Sequence, residues 1–291
     1  MELQQLRYFV AAADAGKVTT AARELHVAQP SVSKQLRKLE AELGAVLLER
    51  GRTGVTLTDA GAILLPWAKR VLADVDGARS EVADLATLER GRLSVGATPS
   101  LSTVLLPRVL AAFHAEHPGV TLTVIEAGSR DLVDHLASGN LDLALVILPV
   151  PREELFETTP LLKEELVLAV AKRHPLAKRR TVRVSELRGV PLVMFRDGYD
   201  LRSATVTACE RAGFHPTFAI EGAEMDGVLR MAAAGVGVAV VPSMVVEKGG
   251  PLVAVRIIQP TLSRSVGVAF RKDRHRPRAA DAFVARLREF L

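Results

Sequence analysis

One predicted helix in the first sixty residues carries most of the side chains that could recognise a polyanion. It begins at Gln29 and Pro30, where proline fits the first helical turn, and it ends at Gly44. The face of this helix that is expected to meet solvent carries Gln29, Ser31, Ser33, Lys34, Arg37 and Lys38. Amides and hydroxyls can read base edges while lysine and arginine contact phosphates, so the pattern suits a recognition helix. An ordinary solvated helix face is the alternative.

The neighbouring segments favour the recognition helix. Apolar spacing predicts a first helix that starts near Leu3 and ends at Gly16, and a short second helix from Thr19 to Leu25. Residues 49–58 combine glycines with two arginines, as in the β-wing of a winged helix-turn-helix. These elements predict that DNA is bound by Gln29, Pro30, Ser31, Ser33, Lys34, Arg37, Arg50 and Arg52.

A second group of polar side chains follows predicted strands in the later part of the chain. Four loops each precede a predicted helix: residues 98–100, 128–130, 195–202 and 224–226. Ligands of open α/β sheets bind beyond the carboxyl ends of the strands, where helix N-termini favour anions. Arg196 and Arg202 suggest an anionic ligand such as a carboxylate, with pairing to Asp197 and Asp200 as the alternative. Each loop taken alone is explained as the N-cap of the helix that follows it.

Other chemistry has weaker support. Gly235-Val236-Gly237 follows a predicted helix and precedes a strand, which is the reverse of a dinucleotide-binding loop. His114 and His117 lie one helical turn apart without a third nearby ligand, whereas structural metal sites use four. We therefore predict no metal, no cofactor and no enzymatic activity.

A long helix is predicted from Thr58 over about thirty residues. Its apolar residues alternate at spacings of four and three: Leu64, Ala68, Val71, Val75, Ala78, Val82 and Leu85. A narrow heptad stripe on an otherwise polar helix predicts a dimer seam. Packing of this helix on its own domain is the alternative. Beyond Gly91 strands alternate with helices, which predicts mostly parallel sheets in two lobes.

Composition sets outer limits on these interpretations. The 291 residues are 48% hydrophobic and carry a net charge of +5, which excludes wholesale disorder and weakly favours a polyanionic partner. Residues 1–57 hold eight basic and six acidic side chains, so bulk charge does not locate a nucleic-acid site. The absence of a signal peptide or spanning segment, and the single Cys209, predict a soluble cytoplasmic protein without a membrane partner.

The run AARELHVAQPSVSKQLRKLE at residues 21–40, followed by LTDAG at residues 57–61, resembles the signature of LysR-type transcriptional regulators. The resemblance implies an α/β chain with an N-terminal all-α winged helix-turn-helix (1–58), a linker and dimerisation helix (59–90) and a type-2 periplasmic-binding-protein-like effector domain (91–291). In that domain, lobe I would hold 91–161 and 267–291, and lobe II 162–266. The chain would cross between lobes near Leu162 and return near Arg264.

The resemblance also implies partners and a site. Similar regulators bind promoter double-stranded DNA as homodimers or homotetramers and respond to a small effector, with RNA polymerase as a further candidate partner. The effector contacts implied here, with the loop residues beside them, are Thr98, Ser100, Ser129, Ile147, Phe195, Arg196, Arg202 and Met225. The alternatives are an architectural repressor whose C-terminal domain only oligomerises and, with less support, an enzyme on the same lobes.

Residues 197–213 are similar to the peroxide-sensing branch of these regulators. In that branch the reactive cysteine would occupy the place of Asp200, and the resolving cysteine would occupy the place of Cys209. Because one cysteine cannot form a disulfide within the chain, Cys209 is expected to be a small residue on a helix.

Overall fold

The structure is a computed structural model that describes residues 1–51, 54–84 and 91–291. Its contacts divide the chain into two compact units. The first contains the residues up to the end of the fourth helix together with Ala137–Asn140, and the second contains the others. Within the described residues, no helix has the length and apolar character needed to cross a membrane.

The first unit has helices around a small core and a two-stranded wing. Its elements are α1 (Leu3–Ala15), α2 (Val18–Glu24), α3 (Gln29–Leu43), β1 (Leu48–Gly51), β2 (Gly54–Leu57) and α4 (Asp59–Asp84). Gly16 and Gly44 end α1 and α3 with φ angles of 62° and 66°, which favour glycine. Ala28 is the N-cap of α3, so Gln29 and Pro30 occupy its first two positions.

Backbone contacts hold the wing against the turn between α1 and α2. The Val55 amide donates a hydrogen bond to the Gly16 carbonyl oxygen at 2.8 Å. A Cβ atom on Gly54 would lie 2.2 Å from the same oxygen, so only glycine fits there. Thr58 joins the wing to α4, since its hydroxyl accepts from the Gly61 amide and donates to the Val46 carbonyl. These contacts hold the wing, and with it the backbone at Arg50, against the turn after α1 and the start of α4.

The apolar stripe of α4 is divided between the core and the surface. Ala68 is only 1% exposed and packs in the core of the first unit with Leu64 beside it, as the own-domain alternative expects. Ile63 and Trp67 are instead 69% and 59% exposed, although neither belongs to the predicted seam. Within that seam Val71 and Ala78 are exposed and Val75 is half-buried. The side chain of Val82 and all of Leu85 lie outside the described residues.

The second unit is built on one eight-stranded sheet and a smaller parallel pair. Its strands are β3 (Gly91–Ala97), β4 (Val120–Glu126), β5 (Leu143–Leu148), β6 (Phe156–Ala171), β7 (Thr181–Arg183), β8 (Pro191–Phe195), β9 (Thr217–Ala223), β10 (Ala239–Pro242), β11 (Leu252–Ile258) and β12 (Ser263–Arg271). The large sheet has the order β4-β3-β5-β12-β6-β11-β7, with β10 also paired to β6, and β8 pairs β9.

The long strands β6 and β12 connect the two halves of this unit. The first part of β6 pairs with β12, and from Leu166 onward it pairs with β10 and β11. All these pairings are antiparallel, as is that of β12 with β5. The expectation of mostly parallel sheets is therefore wrong for the centre of the sheet, because the connecting strands reverse direction there. Parallel pairing holds for β3 with β4 and β5, β7 with β11, and β8 with β9.

Two hydrophobic clusters form the cores of the two lobes of the second unit. Lobe I packs around Leu93, Phe113 and Phe283, and lobe II packs around Leu168 and Phe195. The helices that cover them are α5 (Pro99–Val104), α6 (Leu106–Glu116), α7 (Ser129–Ala137), α8 (Asp200–Arg211), α9 (Met225–Ala234) and α10 (Arg278–Arg288). α10 contributes its buried residues to the core of lobe I.

Candidate functional site

The start of α3 presents an exposed polar surface. Gln29, Ser31, Lys34 and Arg37 are exposed, as is Pro30. Ser33 is only 6% exposed, so its expected position on the solvent face is wrong. It lies beside Val32 at the edge of the core, and its hydroxyl accepts a hydrogen bond of 2.9 Å from the Gln29 amide Nε2. Ser33 therefore orients Gln29, and Gln29 is the group that meets solvent.

An open groove of about 480 Å³ separates the start of α3 from the wing. Gln29 and Arg50 line it together with Lys17, Val18, Thr19, Gly51, Gly54 and Val55. Lys34, Arg37 and Arg50 form no salt bridge within the part of the chain that the structure describes, so their charges remain available to an outside partner. Arg52 lies outside the described residues.

A pocket in the second unit collects residues from both lobes. It is lined by Thr98, Pro99, Ser100, Gly128, Ile147, Tyr199, Asp200, Leu201, Met225 and Arg264. Four of the eight predicted effector residues are among them, namely Thr98, Ser100, Ile147 and Met225. The cavity volume is about 10 Å³, which is room for a single water molecule. The pocket therefore has little room for a ligand in this structure.

Ser129 lies behind this pocket and joins the lobes. Its hydroxyl donates to the Asp200 carboxylate Oδ2 at 2.7 Å and accepts from the Ile147 amide at 3.0 Å. Ser129 is the first residue of α7 in lobe I, whereas Asp200 is the first residue of α8 in lobe II. Thr98 adds an unused hydrogen-bonding group, because its buried Oγ1 has no partner among the described residues.

A buried ion pair forms the floor of the pocket. Arg264 on β12 and Glu164 on β6 are register partners whose side chains are 6% and 5% exposed. Arg264 donates from Nε and Nη2 to Glu164 Oε2 at 3.0 and 2.8 Å, and Glu164 Oε1 accepts from the Met244 amide at 3.0 Å. Burial lowers the pKa of Arg264, while the charge of Glu164 opposes that shift. Sequence reasoning located Arg264 only as a crossing point, because its sequence neighbours Ser263 and Ser265 are polar and do not indicate burial.

Arg196 and Arg202 do not line the pocket, and the inference of an anionic ligand from them is not supported. Arg202 pairs with Asp197 at 2.7 Å and with Glu221 at 3.0 Å. Arg196 pairs with Glu224 at 2.9 Å and lies 3.9 Å from Asp131. Each guanidinium thus already faces two carboxylates. Phe195 is buried in lobe II, where its ring stacks on Tyr199.

Cys209 lies inside α8 and is 1% exposed. Burial, with a smaller contribution from Glu210, raises the pKa of its thiol to about 11. A buried and protonated thiol is a poor nucleophile. The structure is consistent with a packing role for this residue.

Comparisons with known protein families account for both units. Residues 3–62 match the model described as a bacterial regulatory helix-turn-helix protein of the lysR family. Residues 86–291 match the LysR substrate binding domain. The chain belongs to the LysR family. Members of this family are transcriptional regulators rather than enzymes.

Individual relatives extend along nearly the whole of this LysR-family chain. OxyR of Escherichia coli K12, a DNA-binding transcriptional dual regulator, is 33% identical over 93% of this chain and 90% of its own. A full-length cysteine-to-aspartate variant of OxyR from Pseudomonas aeruginosa has a TM-score of 0.78 at 29% identity, covering 100% of this chain and 99% of that one. Full-length CbnR in complex with its target DNA has a TM-score of 0.72 at 29% identity, covering 100% of both chains.

The buried pair beneath the pocket generates a stability prediction for this LysR-family protein. Glu164→Gln removes the charge that compensates buried Arg264, and breaking such a pair costs roughly 3–5 kcal/mol. Guanidinium unfolding followed by circular dichroism measures that loss. The neighbouring variant Glu165→Gln is the control, because Glu165 pairs with Arg256 at the surface and should change stability little. Equal effects of the two substitutions would contradict the importance of burial here.

Proposed function

We propose that this LysR-family chain regulates transcription by binding promoter DNA through α3 and the wing, under the control of a small molecule that enters the pocket between its lobes. The observation that carries the DNA-binding part is the exposed start of α3. There an oriented glutamine and Arg50 line a shared groove, and the exposed, uncompensated Lys34 and Arg37 follow on the same helix. The structural similarity to full-length CbnR, which was solved in complex with its target DNA, supports DNA binding by this chain.

The hydrogen bond between Gln29 and Ser33 favours base reading by Gln29. Because Nε2 donates one hydrogen to Ser33, the second hydrogen and the Oε1 acceptor remain free on the same amide. A glutamine with one donor and one acceptor can bind adenine through its N7 and N6 atoms in the major groove. In this arrangement Ser33 fixes the plane of the Gln29 amide. Pro30 and Ser31 lie in the same helical turn as Gln29. Lys34 and Arg37 contact DNA phosphates.

We propose that α4 pairs two copies of the chain. Val71, Val75 and Ala78 remain available from the predicted seam, and Ile63 and Trp67 add exposed apolar surface to the same helix. Trp67 is 59% exposed next to exposed Ile63, and an apolar patch of this kind on a helix favours contact with a protein partner over contact with solvent. Tetramers would follow from a further contact between such dimers.

The effector part of the proposal depends on the pocket. Thr98 and Ser100 line the pocket together with the buried Arg264, and convergent polar groups with apolar neighbours are typical of small-molecule sites. A molecule larger than water needs more room than this cavity offers, and breaking the Ser129–Asp200 hydrogen bond between the lobes would provide it, which gives binding a conformational consequence. The small cavity also favours the second candidate, an architectural repressor whose C-terminal unit only oligomerises.

The recognition-helix assignment is tested by Gln29→Ala. Loss of a bidentate base contact should weaken binding to the specific site by about 1–3 kcal/mol and relax sequence preference, without changing affinity for random DNA. Arg50→Ala should weaken binding to both DNAs and reduce the salt dependence. Gel shifts on the DNA upstream of the gene measure both effects, with Lys248→Ala in the second unit as the control. Normal operator binding by Gln29→Ala would contradict the assignment.

The dimer proposal is tested by Val75→Asp, which places a charge on the apolar face of α4. Sedimentation velocity should show a smaller species, and affinity for an operator with two half-sites should fall, because each half-site alone binds weakly. Val75→Ala is the matched control, since it stays apolar and should remain a dimer. An unchanged sedimentation coefficient for Val75→Asp would place the interface elsewhere.

A further inference from the structure

The pocket between the lobes already contains a carboxylate from its own chain. Asp200 lines the cavity, and its Oδ2 accepts the Ser129 hydroxyl hydrogen at 2.7 Å. It is also the first residue of α8, a helix of 12 residues, whose N-terminus stabilises negative charge. Arg264 lines the same cavity, and the negative charge of Asp200 acts on it favourably. A hydroxyl, a helix N-terminus and an arginine are the groups that a protein uses to bind a free anion.

The charges that line or underlie the pocket do not leave a place for a second anion. Glu164 already neutralises Arg264 through its bidentate contact, so adding Asp200 makes the group of three side chains net negative. Arg196 and Arg202, the other cations of the region, face carboxylates outside the pocket. A free carboxylate entering this volume would lie next to the Asp200 carboxylate in a poorly solvated site, where like charges repel strongly.

We propose that Asp200 is an internal ligand of this pocket, occupying the position of a small anion, so that the native pocket excludes carboxylates and accepts a small molecule that donates hydrogen bonds and carries no negative charge. The unpartnered Thr98 Oγ1 is the acceptor that such a donor would meet. This inference rests on the proposed function in taking the pocket as the effector site. It replaces the anionic effector suggested by the loop arginines.

The test removes the internal carboxylate and offers a free one. Asp200→Ala vacates space beside Ser129 and Arg264, and sodium formate should fill it. We expect formate to raise the unfolding temperature of Asp200→Ala, with a dissociation constant at least about tenfold lower than for the unaltered protein. Sodium chloride at equal ionic strength controls for general salt effects. Isothermal titration gives the stoichiometry, which should be one formate per chain.

Two matched variants keep the test decisive. Asp200→Asn removes the charge but keeps the pocket filled, so it should gain no formate binding. Asp197→Ala removes a carboxylate three residues away that is 92% exposed, and it should behave like the unaltered protein. Formate binding of equal strength to the unaltered protein and to Asp200→Ala would overturn the proposal, as would the absence of a formate response in folded Asp200→Ala. If Asp200→Ala does not fold, Asp200→Ser replaces it under the same criteria.

The two proposals fail in different ways. Loss of the formate effect with normal operator binding by the unaltered protein would reject the internal ligand and leave the regulator function standing. Failure of the unaltered protein to bind any upstream DNA would reject the proposed function, whatever formate does to the Asp200 variants.

Discussion

The second unit depends on a single buried ion pair at the point where its two long strands join the lobes. Glu164 and Arg264 face each other across β6 and β12, one residue pair before the end of their shared register at Glu165 and Ser263. From Leu166 onward β6 pairs with the strands of lobe II. Burying two charges is favourable only with close geometry and further hydrogen bonds, and the Met244 amide supplies one of these. The pair therefore holds two compensated charges at the point where β6 passes from lobe I to lobe II.

This ion pair also determines the charge at the floor of the pocket. Arg264 cannot leave Glu164 without exposing a buried charge, so its guanidinium is held at the floor of the cavity. Asp200 and Ser129 then close the cavity from opposite lobes through one hydrogen bond. A ligand that separates the lobes has to replace that bond while the ion pair stays in place. Control by differential binding requires two arrangements of the unit, one with this bond formed and one with it replaced.

The sequence predicted the elements of the first unit closely, because local signals determine them. Glycines with positive φ end α1 and α3, and proline near the start of α3 marks its first turn. The exposure of Ser33 was mispredicted because helical periodicity does not show which border residue a neighbouring side chain covers. Gln29 covers it, and that contact depends on the rotamer of Gln29 rather than on spacing.

The second unit was less predictable, since its site is made by contacts distant in sequence. Thr98, Ser100, Ile147 and Met225 were located through loops at strand ends and through the family resemblance, and the structure brings them together. The alternative role for Arg196 and Arg202 was pairing with Asp197 and Asp200. The structure pairs Arg202 with Asp197, whereas Arg196 pairs with Glu224, which is 28 residues away in sequence. Arg264 and Glu164 are 100 residues apart in sequence, and only the pairing of β6 with β12 brings them together. Sequence spacing therefore could not show that Arg264 belongs to the site.

We propose that the hydrogen bond between Ser129 and Asp200 couples the pocket to DNA binding. The most direct measurement is a DNase I footprint on the upstream DNA, comparing the unaltered protein with Ser129→Ala and with Ser129→Thr. Ser129→Ala lacks the hydroxyl and should change the protected region without any ligand, whereas Ser129→Thr keeps the hydroxyl and should retain the original footprint. Identical footprints for all three proteins would contradict the account.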